Sequence, residues 1–527
     1  MFLLQANTTD LFAVRDLNLI VPELILTVAA CVALVMEVML PYKKSRLVGY
    51  FALLSIGLAA ASLVTTWVAY GAGFPLTGFY GMVKIDGFAV VFQLIFLLGA
   101  ALTIAISLRY LDIESEQRGE FYALILFATV GMMFLACGYD LIALYISLEL
   151  MALTFYVLVS FTKRERRSNE AGMKYFLLGA FSSGILLYGI SLLFGVAGST
   201  NLGEISGSIN AIMSGGGATV LDPNSPASLI KPMLLLGMIA LAAGLFFKVA
   251  AVPFHMWAPD AYEGAPTPVT AFLSTGSKAA SFALFARIFI EGLGGLRAQW
   301  APLLGLVAAI TIMVGNWAAV TQTNSKRLLA YSSISNAGYL LLGLVAANEY
   351  GYIGLAIYLL VYTLMNVGAF GIIISLHRRG IVGEQLDDLR GLGQKSPGMA
   401  IMMTLFMLSL GGIPGTGGFI GKYFLFGGLL QRGAQEHKSW YYWLAIWAIL
   451  NTVVSFYYYF LFIRRMYLDD QTADARPLAL SPALQIALAV AVVGVVFIGI
   501  YPQPFITLAQ SVAASLAGAL GGAVALR

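Results

Sequence analysis

Charge is what this sequence has least of. Only 11% of its 527 residues are Asp, Glu, Lys or Arg, against 60% hydrophobic, and the mean hydropathy is +0.86. A soluble protein of this size needs a far more charged surface, so a water-soluble fold is excluded. Cysteine is almost absent. Cys31 and Cys137 stand alone in apolar stretches, with no CxxC or Cys/His cluster, which leaves no thiolate site for an iron–sulfur cluster, zinc or thiol redox chemistry. Of the three histidines, His377 and His437 fall in loops too far apart in sequence to propose a metal site. No Ser/His/Asp arrangement and no dinucleotide fingerprint occurs, so this chain alone is not expected to bind a nicotinamide cofactor, a flavin or a redox metal. The N-terminus, MFLLQANTTDLFAVRDLN, lacks a basic region followed by a cleavable apolar core, and the first span is expected to be retained.

What the chain has in abundance is long apolar runs. Stretches of about 20 residues, each enough to cross a bilayer, recur at roughly 19–41, 47–70, 87–110, 121–138, 140–161, 172–196, 231–252, 266–290, 300–320, 328–346, 351–376, 398–430, 440–463 and 481–501. The expected fold is an all-α polytopic membrane protein with about 14 transmembrane helices, forming one membrane domain over residues 1–527. The twelfth span contains GGIPGTGGFIG and reads as a broken helix; the seventh ends at Pro253 and is open to the same interruption. The small-residue tail after residue 501 suits either an interfacial helix or one more crossing.

Loop charge orients the bundle. Most of the 30 lysines and arginines fall in loops after odd-numbered spans, so those loops face the cytoplasm and both termini lie outside. The pI near 8.8 reflects these loops and is no sign of nucleic-acid binding. The mixed-charge segments FTKRERRSNE and HRRGIVGEQLDDLRGLGQKS read as solvated loops. The long outside loop over about 197–230 is rich in Gly and Ser, and reads as surface without chemistry.

Once the loops are filled, three cations remain inside spans: Lys248, Lys278 and Lys422. A charge in lipid costs several kcal/mol even on forgiving scales, so each asks for a reason. Lys248 lies five residues before Pro253, close enough to a span end that snorkelling to the interface stays open beside a functional reading. Lys278, in STGSKAAS, lies near mid-membrane among small and hydroxyl residues that suit close packing and bound water. Lys422 follows PGTGGFIG, and unwound backbone at membrane depth is tolerated only inside protein or along a wet cavity. Of the 26 acids only Glu149 sits at the middle of a span, which makes it the default partner for Lys248. The Coulomb term between them scales as 1/r, so a shift of a few ångströms would let the amine hold or release a proton.

The glycines before Lys422 are no Walker A loop. That motif needs Gly where Thr416 stands and Ser or Thr where Tyr423 stands. His255, in VPFHMW, either caps the lysine pathway toward the cytoplasm or hydrogen-bonds in a loop. Asp260 and Glu263, in the connector APDAYEGAPTP, could line the same mouth, and Glu37 could carry a proton toward a neighbouring subunit.

Five stretches carry a resemblance: GYDLIALYISLELMALTFYVL, NEAGMKYFLLGAFSSGILLYGISLLFG, FFKVAAVPFHMWAPDAYEGAPTPVTAFLSTGSKAA, NSKRLLAYSSISNAGY and GGIPGTGGFIGKYFLF. With the span count, they make the chain resemble the N subunit of bacterial respiratory complex I, the proton-pumping NADH:quinone oxidoreductase. The L and M paralogues share the outline but carry Trp-Glu where this chain has Leu148-Glu149, and L adds a lateral helix for which there is no room here. The resemblance implies two inverted five-helix repeats, helices 4–8 (about 120–290) and 9–13 (about 300–463), with helices 7 and 12 broken. Helices 1–3 (about 1–115) would precede them, and helix 14 with the tail (about 481–527) would follow. It also implies a proton path through Glu149, Lys248, Lys278 and Lys422, with FMN, iron–sulfur clusters and quinone held by partner subunits in the bacterial inner membrane. A subunit of a multisubunit Na⁺/H⁺ antiporter or membrane-bound hydrogenase is the alternative within the same superfamily. A scaffold with vestigial lysines is the alternative outside it.

Overall fold

The architecture was taken from a computed structural model that describes residues 14–41, 44–114, 118–213, 227–377, 383–470 and 480–520. The reading of the extreme N-terminus, residues 1–13, lies outside these, as do parts of the loops at 214–226 and 378–382 and the last seven residues of the tail. The chain begins with α1 (Val21–Met39), α2 (Arg46–Tyr70), a two-stranded hairpin of β1 (Leu76–Gly78) and β2 (Val83–Ile85), and α3 (Gly87–Glu114). A first group follows: α4 (Gly119–Cys137), α5 (Leu141–Val159), α6 (Arg166–Ala197), α7 (Leu202–Met213), α8 (Ala227–Val249), α9 (Trp257–Gly264), α10 (Thr267–Phe272) and α11 (Lys278–Ala286). A second group contains α12 (Arg297–Val320), α13 (Ser325–Ala346), α14 (Glu349–Leu376), α15 (Pro397–Gly411), α16 (Gly417–Glu436) and α17 (Trp440–Tyr467), before α18 (Pro482–Ile500) and α19 (Gln503–Leu520).

Twelve of the described helices are long and apolar enough to cross a membrane. Helix is the natural form for such segments, because in lipid each backbone N–H and C=O must find its partner within the segment. The run from Thr267 to Gly292 is also helical throughout, but widens to π-helix at Leu273–Ser277 and at Arg287–Gly292. The two groups meet where α10 packs on α14 and α9 on α13. α13 and α14 are almost wholly enclosed.

Both expected breaks are present, each with a local cause. α8 stops because Ala250 adopts a left-handed φ of 59° and Pro253 has no N–H to continue the ladder. The loosened groups are met from the side: Trp257 Nε1 donates to the Phe247 carbonyl at 2.8 Å, and the Val252 N–H donates to Thr311 Oγ1 at 3.0 Å. Between α15 and α16, Gly412 and Gly415 have φ of 86° and 89°, a conformation that glycine adopts without penalty. Gly418 serves a different end. A Cβ there would lie 1.9 Å from the Ser409 carbonyl oxygen, so α15 and α16 touch backbone to backbone. Gly418→Ala is therefore expected to destabilise the protein by about 1–3 kcal/mol through overpacking, read as a lower melting temperature in detergent. Gly184→Ala on α6, where nothing lies within 4 Å of the added methyl, is the matched control.

Counting only three cations inside spans needs correction. Arg287 belongs to the helical run Thr267–Gly292 and is fully buried; it lies within the eighth span as bounded above, 266–290, and the count passed over it. It is neutralised there. Its guanidinium donates to both carboxylate oxygens of Asp86 at 2.8 and 2.9 Å, to the Ala136 carbonyl at 3.0 Å, and to Glu291 one turn on. Lys84, from β2, completes the cluster at 2.6 Å from Glu291 and lies 4.6 Å from the Tyr139 ring centroid. The described part of the tail is a helix packed on the bundle. α19 lays Ala509, Val512, Ala513 and Leu516 inward, spaced for one helix face, and its Ser511 and Ser515 sit against Gly87 and Phe88 at the start of α3.

Candidate functional site

Lys248 occupies the last turn of α8, where the helix end favours a cation. It does not snorkel: it is 5% exposed, and its Nζ has no hydrogen-bond partner. The acid within electrostatic reach is Glu149 of α5. The two do not touch, and Glu149 Oε1 is likewise buried without a partner. Opposite charges thus lie near each other and unpaired in a low-dielectric interior, where each is costly and each is sensitive to the other's distance.

Lys278 is placed by the first π-helical segment, which ends at Ser277; such widened turns recur at functional sites. Its buried Nζ donates to the carbonyl of Ser333 at 2.6 Å and to its Oγ at 2.5 Å. From α13 the polar contacts continue. Ser332 Oγ and Tyr459 OH are 2.6 Å apart, Asn336 Nδ2 donates to the Ser332 carbonyl at 2.9 Å, and Tyr358 OH donates to Asn336 Oδ1 at 2.6 Å. Tyr458 OH donates to Asn316 Oδ1 at 2.9 Å, and Thr452 Oγ1 bonds Tyr339 OH at 3.1 Å. The ring of Tyr339 then lies 4.9 Å from Lys422 Nζ. Lys422 itself, on α16, reaches back across the break and donates to the Leu410 and Gly411 carbonyls at 2.9 and 3.2 Å, the negative end of α15. Glu149 and Lys248 thus stand near each other on α5 and α8, and a separate band of neutral hydroxyls and amides lies between Lys278 on α11 and Lys422 on α16. The two breaks carry their lysines differently: Lys248 precedes the first, whereas Lys422 follows the second.

Comparison with known proteins identifies the family. The profile of the NADH:quinone oxidoreductase/Mrp antiporter transmembrane family matches residues 138–454. NADH-quinone oxidoreductase subunit N 2 of Solibacter usitatus is 49% identical over 97% of this chain and 99% of its own. The chain belongs to the subunit N family of NADH-quinone oxidoreductase. A chain of respiratory complex I from Thermus thermophilus with bound aureothin is 32% identical, with a TM-score of 0.74 over 93% of this chain and 100% of that one. The Mrp complex of Dietzia sp. matches at a TM-score of 0.80 over 95% of this chain and 97% of that one, but at 20% identity it shows the shared fold alone.

The other residues singled out from sequence in this subunit N family member fall off the line. His255 is half-buried in the turn after α8, with Nδ1 lacking a partner. Asp260 and Glu263 are engaged: Arg327 bonds both, Lys174 bonds Asp260 at 3.1 Å, and Arg167 bonds Glu263 at 2.5 Å. These pairs tie α9 to α6 and α13. Glu37 accepts from Ser45 Oγ at 3.3 Å and leaves Oε2 buried without a partner; no described contact joins it to the lysines. Sequence reasoning missed Ser332, Asn336, Tyr339, Tyr358, Tyr458 and Tyr459. Neutral polar residues cost too little in a span to stand out, though 332, 336 and 339 share one face of α13.

Proposed function

We propose that this chain is the proton-translocating, antiporter-like membrane subunit of an NADH-quinone oxidoreductase, and that its protons move along the line Glu149, Lys248, Lys278, Lys422. The observation that carries the reading is the unpaired Glu149–Lys248 couple at the head of a buried polar band. Electron transfer from NADH to quinone belongs to partner subunits holding FMN, iron–sulfur clusters and quinone; this chain converts it to proton movement by ion-pair rearrangement. The twelve long helices, the run Thr267–Gly292 and the α15/α16 pair are together read as fourteen passes in two inverted repeats, with both termini on the outer side. A subunit of a Na⁺/H⁺ antiporter is disfavoured by 49% identity to a subunit N, against 20% to the Mrp chain.

Glu149 also supplies a route for the signal. It is half-buried between Ile146 and Leu153, which are 63% and 53% exposed on the same face of α5. A membrane neighbour covering that apolar stripe would lie against the carboxylate, and a rearrangement there would change the field at Lys248. Glu149→Gln keeps the shape and removes the charge. In the assembled complex it is expected to lower pumping and coupled quinone reduction by about tenfold or more, a loss of the order of a general acid–base group, while assembly is unchanged. Normal pumping in assembled Glu149→Gln complex would remove Glu149 from the path.

A further inference from the structure

Asp260 and Glu263 are committed to ion pairs, which leaves open where protons enter toward Lys278 from the cytoplasmic side. A second titratable cluster stands at that end of the same helical run. His377, just past α14, bonds Glu114 Oε1 of α3 through Nε2 at 2.6 Å, and its ring lies 5.0 Å from that of Tyr110. The histidine side chain is 9% exposed and the glutamate 30%, so the pair reaches from the cytoplasmic surface into the interior. Tyr110, also buried, hydrogen-bonds Thr267, the first residue of α10. Beside them Lys326 is fixed between the Ala265 carbonyl at 2.7 Å and Glu384 at 2.8 Å. The charged and titratable groups around the pair are thus Tyr110 of α3 against His377, Lys326 of α13 within electrostatic reach of Glu114, and Glu384 of the loop after α14 within reach of Tyr110.

From Thr267 inward, one face of the run carries Thr267, Thr270, Ser274 and Lys278, all buried and three or four residues apart, the spacing of one helical face. The rise over those eleven residues is about 16 Å. Thr270 and Ser274 bond backbone carbonyls at 2.8 and 2.9 Å, which leaves their oxygens able to accept as well. On α3, which packs against this run, Thr103 Oγ1 is buried without a partner.

We propose that the His377–Glu114 pair is the proton-loading site that feeds Lys278 from the cytoplasmic side, along the Thr267–Thr270–Ser274 face. This rests on the proton-translocating reading above. An imidazole is suited to the task because its charge changes near neutral pH, and the paired carboxylate orients it at the surface. The proton taken up at the imidazole leaves along the hydroxyl face, and the imidazole returns neutral.

The test uses the assembled complex in sealed membrane vesicles, with His377→Ala, His377→Gln and Glu114→Gln beside Lys248→Ala, assayed for proton pumping from about pH 6 to 8.5. Without the loading group, uptake depends on bulk protons. Both His377 variants should therefore lose about tenfold at the alkaline end and far less at the acid end, and added imidazole should restore His377→Ala. Glu114→Gln should shift the profile in the same sense. Since glutamine keeps a hydrogen bond to Glu114 without titrating, wild-type pumping by His377→Gln across the range would overturn the proposal. So would a pH-independent loss in His377→Ala that imidazole does not relieve, which marks a purely structural contact. If Lys248→Ala stops pumping while the His377 variants do not, only this inference fails; normal pumping by Lys248→Ala would remove the wider reading.

Discussion

Lys248→Ala, in the assembled complex, should abolish most proton pumping and lower coupled quinone reduction by at least about tenfold, with little change in assembly. The reasoning follows from the surroundings. The amine makes no hydrogen bond that the fold depends on; the α8 carbonyl beside it, that of Phe247, is capped by Trp257 instead. Removing the side chain therefore breaks no hydrogen bond, and the nearby Phe247 ring, 5.9 Å from Nζ, stays in place. It removes the cation that lies within electrostatic reach of Glu149. Lys248→Arg should not rescue fully, because a guanidinium holds its proton too firmly to hand it on. A scaffold role predicts the opposite pattern, lost assembly with unaltered pumping per assembled complex.

Arg287→Ala should have the largest effect on stability, about 3–5 kcal/mol, the usual consequence of removing one partner from a buried ion cluster. The change would leave Asp86 and Glu291 with Lys84 alone, and the Ala136 carbonyl without its donor. The measurement is the melting temperature and yield of the detergent-purified complex. Its pH dependence follows from Asp86. Burial acts to raise the pKa of this carboxyl, but Arg287 and then Lys84 outweigh burial and hold it below the usual range. A depressed carboxylate stabilises the fold fully above its unfolded value, about 3.9, and that stability is lost only as pH falls through the folded value. The stability that wild type draws from ionised Asp86 should therefore be level from about pH 5 to 8 and fall only in stronger acid.

The features legible from sequence were those with a high cost in lipid. A lysine within an apolar run is too expensive to be incidental, and Lys248, Lys278 and Lys422 all prove buried. Pro253 and the glycines at 412 and 415 declared the breaks because few residues adopt those backbones. Arg287 was overlooked although it lies within the span 266–290, and its counter-charge Asp86 and the neighbouring Lys84 come from a region distant in sequence. The pairing of His377 with Glu114 was equally illegible: both sit at helix ends that are remote in sequence and adjacent only once α3 and α14 pack together. The tyrosines and asparagines between Lys278 and Lys422 carry no sequence signal beyond shared helix faces. For Asp260 and Glu263 the residue type was informative but the role was not, since a carboxylate at a mouth and one in a clamp look alike until their partners are seen.

The central claim is that Glu149 and Lys248 act as one unit. A double-mutant cycle on protons pumped per NADH oxidised tests this directly, using Glu149→Gln, Lys248→Met and the combined variant in reconstituted complex. Groups acting as a unit are non-additive, so the combined variant should pump no worse than the poorer single variant. Losses that multiply, or wild-type pumping by either single variant, would contradict the account.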